Sequence, residues 1–372
     1  MTTPISDRVH IAIFGNCNSG KSSLINALTG QHTAIVSDIA GTTTDPVQKS
    51  VELPGVGAAV IIDTPGLDDN SQLGQLRSAQ SYKILSKTDI AIVIEPIEAS
   101  FTARLHSLEI PTIHITSKAD IGPNNIDSNN TIAVSAHTGE GLDRLRAEIA
   151  SSIKPDNRLL TDSICQNGDT VLLVMPQDNS APKGRLIKPQ VEVIRELLDR
   201  GCTAICCQPQ TMDSTLKNLS KPPKAIITDS SAFAQVKAMS PSGVTLTSFS
   251  ILFARYKGDI ELFRQGAKAL SSLSKSANIL IAEACSHTPQ NEDIGRVKLP
   301  RLLRKHLGNK ITITTVGGND FPDDLAPYDL IIHCGACMFN RRYVMSRIAA
   351  AKEQNVPITN YGIAIATLLN IE

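Results

Sequence analysis

Two short stretches hold the densest reactive chemistry of the chain: Cys285-Ser286-His287, and His333-Cys334-Gly335-Ala336-Cys337. Each follows an apolar, strand-like run, Ile279 to Glu283 and Leu330 to His333, so three thiols and two imidazoles stand where strands end. Thiolates and neutral imidazoles are transition-metal donors, and this is the composition of a metal site. Cys334 and Cys337, spaced C-x-x-C, grip one ion or one cluster, and Cys285 adds a third thiolate. With His287 or His333 the set completes a Cys3His zinc tetrahedron; without a fourth cysteine it equally suits a 4Fe-4S cluster with one reachable iron. Spacing alone leaves these two readings level. The chain has no C-x-x-x-C-x-x-C, so radical adenosylmethionine chemistry is not indicated.

A second constellation opens the chain. The strand-like His10 to Phe14 runs into Gly15-Asn16-Cys17-Asn18-Ser19-Gly20-Lys21-Ser22, and Ser23 to Leu28 has helical character. This is G-x-x-x-x-G-K-[ST] in the strand–loop–helix context that gives it meaning. Backbone N–H groups of Gly15, Asn16, Asn18, Ser19, Gly20 and Ser23 wrap phosphates at a helix N-terminus. Lys21 reaches the β- and γ-phosphates, and the Ser22 hydroxyl binds Mg2+.

Later elements select the base. Ala58 to Ile62 is an apolar strand leading to Asp63-Thr64-Pro65-Gly66, which resembles the D-x-x-G element of translation-factor-related GTPases; Asp63 then holds magnesium through water and Gly66 senses the γ-phosphate. Ser117-Lys118-Ala119-Asp120 resembles N-K-x-D, whose aspartate accepts from guanine N1 and N2, a donor pair adenine lacks. Ser135 and Ala136 match the last base-contacting element. Ser117 stands where asparagine is usual, so a hydrogen bond near the base is expected to be lost. The segment Ser37 to Asp45 looks like switch I of the potassium-activated, tRNA-modifying GTPases, a resemblance that implies Thr43 as a magnesium and nucleotide ligand. It also implies Asn18 as a K+ ligand. Leu67 occupies the usual position of a catalytic glutamine, so slow intrinsic turnover carried by Lys21, Thr43, Asp63 and Gly66 is expected.

These sites need scaffolds. At 372 residues the chain suggests three domains, each α/β. The expected organisation is a P-loop GTPase domain over 1–157, then two further parallel-sheet domains: a small dimerisation domain over 163–243 and a metal domain over 244–372. In the second, strands at Val171 to Met175, Ala204 to Cys207 and Ala225 to Thr228 alternate with a helix at Pro189 to Arg200. It shows no catalytic constellation, which points to self-association; Asp178, Lys183 and Arg185 read as a solvated loop. In the third, helices are expected at Phe249 to Tyr256, Ile260 to Leu273 and Arg341 to Glu353. Its strands are expected at Ile279 to Glu283, Ile311 to Val316, Leu330 to His333 and Pro357 to Asn360. Ligands of open parallel sheets collect beyond strand carboxyl ends, so neighbouring strands would converge Cys285 and Cys334.

Thirty-six basic and thirty-six acidic residues cancel, so no global field favours nucleic acid or a membrane. No signal pattern or roughly 20-residue apolar span is present, and a cytoplasmic location is expected. Cys17, Cys165, Cys202, Cys206 and Cys207 read as small core hydrophobes. His32, His106, His114 and His137 lack metal-like spacing.

C-x-H followed by H-C-x-x-C behind a GTPase domain resembles the HydF family, the maturation GTPases of FeFe-hydrogenase. Ala181 to Leu186, Phe253 to Asp259, Asp293 to Lys298 and Thr359 to Gly362 are similar to that family too. The resemblance implies a GTP-hydrolysing scaffold, homodimeric or larger, with a 4Fe-4S cluster on Cys285, Cys334 and Cys337 and a histidine or exchangeable group on the fourth iron. It further implies a transient di-iron subcluster precursor, received from radical-enzyme maturases and delivered to apo FeFe-hydrogenase. Some members offer a glutamate three residues beyond the first cysteine; here that residue is Thr288. The competing reading is a zinc-stabilised regulatory GTPase acting on RNA or ribosome assembly, which would need a basic face or an RNA-binding module.

Overall fold

Residues 5–30, 47–68, 80–121, 131–153, 158–177, 186–284, 293–318 and 320–370 are described by a computed structural model. The chain divides into two compact units, Met1–Asp156 and Asn157–Glu372.

The first unit is built on six strands: β1 (Val9–Gly15), β2 (Val47–Leu53), β3 (Gly57–Asp63), β4 (Ile90–Ile94), β5 (Thr112–Thr116) and β6 (Thr131–Ala133). Their order is β2-β3-β1-β4-β5-β6, parallel except for the antiparallel β2–β3 pair. Strand periodicity explains why the inner strands are apolar throughout. Ile11 and Ile13 face Leu24, Ile25, Leu28 and Leu145, whereas Ala12 and Phe14 face Ile84, Leu85 and Phe101 on the other side. A sheet covered on both faces has no solvated side to leave polar.

The second unit holds two all-parallel sheets of four strands. One contains β7 (Thr170–Val174), β8 (Thr203–Cys207), β9 (Ala225–Thr228) and β10 (Thr245–Ser248) in the order β10-β9-β7-β8. The other contains β11 (Asn278–Ala282), β12 (Thr312–Val316), β13 (Leu330–His333) and β14 (Ile358–Asn360) in the order β12-β11-β13-β14.

A boundary between residues 243 and 244 does not suit this topology, because β10 pairs with β9 along Thr245 to Ser248. The helix Phe249–Lys257 then sends Phe249, Leu252 and Phe253 into the core of the second sheet and Ala254 into that of the third. One helix serving two cores makes the sheets a single compact unit, and we place their divide at Gly258. The helix expected over Ile260 to Leu273 is α-helical only to Lys268 and ends in a 3-10 turn over Ala269–Ser271. The core reading of the cysteines holds for Cys165 and Cys202, which are buried. It fails for Cys206, exposed on β8, while Cys207 is half-buried. β8 is an edge strand of its sheet, and Thr203 and Cys206 are its exposed residues.

Candidate functional site

At the end of β1 the chain turns through Gly15–Gly20 and enters the helix Lys21–Thr29 with Gly20 at φ 94°, a left-handed conformation that glycine adopts without a Cβ penalty. Lys21 is buried beneath this loop, its ammonium donating to the Gly15 carbonyl at 3.0 Å and the Asn16 carbonyl at 2.7 Å. Burial pulls its pKa below the usual lysine range, opposed by Asp63. The Ser22 hydroxyl donates to Asp63 Oδ2 at 2.8 Å, and Asp63 Oδ1 is buried with no hydrogen-bond partner among the described residues. Burial pushes the Asp63 carboxyl above its ordinary range against the Ser22 hydrogen bond. A hydroxyl and an orphaned carboxylate oxygen, both hard donors, fit Mg2+.

Gly66 lies against the phosphate loop. A Cβ there would sit 2.3 Å from Cys17 Sγ and 2.9 Å from the Cys17 nitrogen, so this approach is open only to glycine. The Cys17 N–H donates to Asp68 Oδ1 at 2.6 Å, a second tie between the loops. Leu67 packs on the core containing Phe14 and Val60, as an apolar side chain in that position must. Asn18 is exposed at φ 56°.

Beside this loop a cavity of about 560 Å³ is lined by Gly20, Leu24, Ser117, Lys118, Asp120 and Ala136. The Ser135 hydroxyl donates to Asp120 Oδ1 at 2.7 Å and holds that carboxyl below the ordinary aspartate range. Asp120 is therefore an ionised acceptor at neutral pH, as recognition of a guanine N1–H and N2–H pair requires. Ser117 is not idle: its hydroxyl donates to the Ser19 carbonyl at 2.6 Å, and Lys118 Nζ donates to the Asn18 carbonyl at 3.1 Å. The base loop is thereby tied to the phosphate loop. His114, with no metal-like spacing, pairs with Glu95 at 2.8 Å.

In the second unit β11 and β13 are neighbours, with Ala282 opposite His333. The two strands end side by side, and Cys334 stands there with its N–H bonded to the Ala282 carbonyl at 3.0 Å, while the Cys285 half of the expected convergence lies outside the described residues. The Cys334 sulfur accepts N–H groups from Ala284 at 3.1 Å and Ala336 at 3.4 Å. Among the described residues a Cβ on Gly335 would meet nothing within 4 Å. Thiols at this strand end fit a thiophilic metal centre. Among the described residues no group of three or more His, Cys, Asp or Glu side chains is arranged to hold a metal ion. Cys285, His287 and Thr288 lie outside those residues, as do Thr43, His32, Asp178, Lys183 and Arg185.

His333 does not stand free as a fourth ligand. It is fully buried; Nδ1 donates to the Cys334 carbonyl at 2.7 Å and Nε2 accepts from Arg347 at 3.1 Å. With both ring nitrogens engaged, no lone pair is left for a metal. Burial, reinforced by Arg347, pulls its pKa down to about 3, so the ring is a neutral structural acceptor.

Sequence reasoning passed over the network beneath this loop. Glu283, 2% exposed, accepts from Arg296 Nε at 3.3 Å and from Tyr361 at 3.5 Å, while Arg347 donates to the Gly318 carbonyl at 2.6 Å and to the Tyr343 hydroxyl. Asn360 donates to the Cys334 carbonyl at 3.4 Å. The available signal was a carboxylate ending the apolar β11 run, together with the two short stretches that supply Arg296, Asn360 and Tyr361.

This arrangement defines a P-loop GTPase domain followed by an α/β unit with a thiol-bearing strand end. Family models for the hydrogen maturase F dimerization and tetramerization domains match residues 159–258 and 261–371, and that for a 50S ribosome-binding GTPase matches residues 10–118. The chain belongs to the hydrogen maturase F family.

The GTPase part is similar to the tRNA modification GTPase MnmE of Chromobacterium violaceum, 31% identical over 161 residues, covering 40% of this chain and 36% of that protein. MnmE of Neisseria meningitidis serogroup B is 36% identical over 154 residues, 38% of this chain and 34% of the relative. The chain thus spans about a third of the length of these curated relatives. A crystal structure of Era in complex with MgGDPNP and a 16S ribosomal RNA segment matches at 19% identity and a TM-score of 0.35, over 54% of this chain and 91% of that one. Among the described residues no helix is long and apolar enough to cross a membrane.

Proposed function

We propose that the chain is a GTP-hydrolysing scaffold of hydrogenase maturation, holding a 4Fe-4S cluster through Cys285, Cys334 and Cys337. In this reading it receives the di-iron subcluster precursor from radical-enzyme maturases and delivers it to apo FeFe-hydrogenase. The observation that carries the reading is the presentation of Cys334 at the end of β13, beside the end of β11 that precedes Cys285, in a chain whose second unit matches hydrogen maturase F models end to end. The cluster, when bound, supplies an iron site open to an exchangeable ligand. His333 being engaged, that position falls to His287 or to water.

In the first unit Lys21 leaves the Gly15 and Asn16 carbonyls for the β- and γ-phosphates, a point charge moving from weak acceptors to anionic ones. Ser22 and Asp63 would hold Mg2+ together with Thr43, and Gly66 lets its loop close on the phosphate loop. Asn18 would hold K+, which would supply positive charge beside the phosphates where the usual glutamine is absent. Self-association, at least to a homodimer, is carried by the domains of the second unit, with the β8 edge as an available surface.

Anaerobic reconstitution followed by iron, sulfide and zinc analysis tests the central reading. Roughly four irons and four sulfides per chain are expected for a 4Fe-4S cluster. Stoichiometric zinc in protein purified without oxygen would instead favour the zinc-stabilised GTPase.

A further inference from the structure

The stretch Phe253–Asp259 has no place in the GTPase site or among the thiols, yet Arg255, Tyr256, Lys257, Gly258 and Asp259 all take part in hydrogen bonds. Arg255 donates to the Leu160 carbonyl at 2.9 Å and to the Ser163 hydroxyl. Arg341, at the start of a helix of the third sheet, donates to the Tyr256 carbonyl at 3.2 Å and the Gly258 carbonyl at 2.6 Å. Asp259 caps the next helix through the N–H groups of Glu261 and Leu262.

At the centre is Lys257, only 2% exposed. Burying an ammonium is costly unless its donors are met. Three carbonyls of the segment carrying Cys334 and Cys337 accept from it: Phe339 at 2.7 Å, Ala336 at 3.3 Å and Cys337 at 3.4 Å. The Phe253 ring lies 5.6 Å away on the other side. A second cation, Lys188, also donates to the Cys337 carbonyl, at 2.7 Å, and pairs with Glu192 at 3.1 Å. Both lysines sit on helices that pack on the second sheet. The segment they hold is strained: Ala336, between the cysteines, has φ 47°, a left-handed conformation that alanine rarely adopts.

We propose that Lys257, assisted by Lys188, is the positioning residue of the C-x-x-C loop, so that the thiol site is built by the second and third sheets together. The dimerisation sheet is then more than a platform for self-association. Its last helix pins the strained loop and brings positive charge against the segment that carries Cys334 and Cys337. The consequence for a bound cluster rests on the reading under Proposed function; the consequence for the loop does not.

The test uses the full chain. In the unloaded protein, Lys257→Met keeps the aliphatic stem and removes three donors. Amide hydrogen exchange over residues 334–340 should quicken about tenfold or more, as expected for losing charge-assisted hydrogen bonds, while exchange in β1 stays as in the parent. Lys188→Met, at a less buried site, should give a smaller change in the same segment and serves if Lys257→Met does not fold. Lys257→Arg, which keeps a charge, should recover part of the protection. After anaerobic reconstitution, Lys257→Met should lose iron to a chelator several-fold faster, and the reduction potential of what remains should move negative, because a cation that favours the reduced state is gone. Unchanged exchange over 334–340 in both methionine variants would overturn the proposal. Failure of the parent chain to take up iron and sulfide would overturn the cluster reading and leave the exchange result to decide this one.

Discussion

The Ser117 hydroxyl donates to the Ser19 carbonyl at 2.6 Å, so the residue that departs from the usual base-recognition pattern helps to join the base loop to the phosphate loop. Ser117→Ala should weaken GTP binding about fivefold, the equivalent of one ordinary hydrogen bond, with guanine preference retained through Asp120. Equilibrium titration with GTP and ATP checks both parts. Unaltered GTP affinity would show that this tie does not hold the loops in solution.

Gly66→Ala should cut GTP turnover at least tenfold, because the added Cβ collides with Cys17 Sγ and its backbone nitrogen and holds the two loops apart. Since the clash lies at the site rather than in the core, thermal stability of the nucleotide-free chain should change little. Steady-state phosphate release set beside an unfolding curve separates the two effects.

Asp63 makes a prediction whose sign follows from its environment. Burial raises its folded-state pKa, so the folded chain binds that proton more tightly than the unfolded one. The resulting stabilisation is fully present below the unfolded pKa and is lost as pH rises through the folded value. At neutral pH without Mg2+, Asp63→Asn should therefore raise the unfolding temperature of the nucleotide-free chain, and the gain should shrink in acid. The same variant should lose magnesium-dependent hydrolysis. Destabilisation at neutral pH would mean that the charged carboxylate is stabilised by more than the Ser22 hydrogen bond and the nearby charges of Lys21 and of Lys49 on β2.

His333 and Cys334 are adjacent but should behave differently. His333→Ala strands a buried Arg347 donor and should cost about 3 kcal/mol of stability in the unloaded second unit. Cys334→Ser should leave that stability nearly intact and sharply reduce bound iron and sulfide. Denaturant unfolding and metal analysis on both variants decide the matter; loss of metal from His333→Ala with undiminished stability would return the ring to the ligand set.

GTP hydrolysis should run faster in potassium than in sodium, and Asn18→Ala should abolish the difference. Equal rates for the parent chain in the two salts would remove the potassium role of Asn18 while leaving guanine recognition by Asp120 untouched.

Much of this protein is legible without coordinates because its signals are local. A phosphate loop needs glycines and a lysine at fixed spacing between a strand and a helix, so Gly15 to Ser22 announces itself, as does Asp120 after the apolar run into Thr116. The parallel sheets are equally plain, since strands buried on both faces must be apolar along their length, as Ile279 to Ala282 and Leu330 to Ile332 are. Tertiary structure decided what depends on distant partners. That β10 belongs to the second sheet follows from pairing with β9, which four residues of mixed character do not advertise. His333 looks like a ligand in sequence and is an interior acceptor in space because Arg347 arrives from another helix. Lys257 reads as an ordinary charged helix end, and only the packing of two sheets against one helix buries it beneath the cysteine loop. Backbone periodicity and motif spacing are written along the chain; the partners of a buried polar atom are set by which surfaces meet.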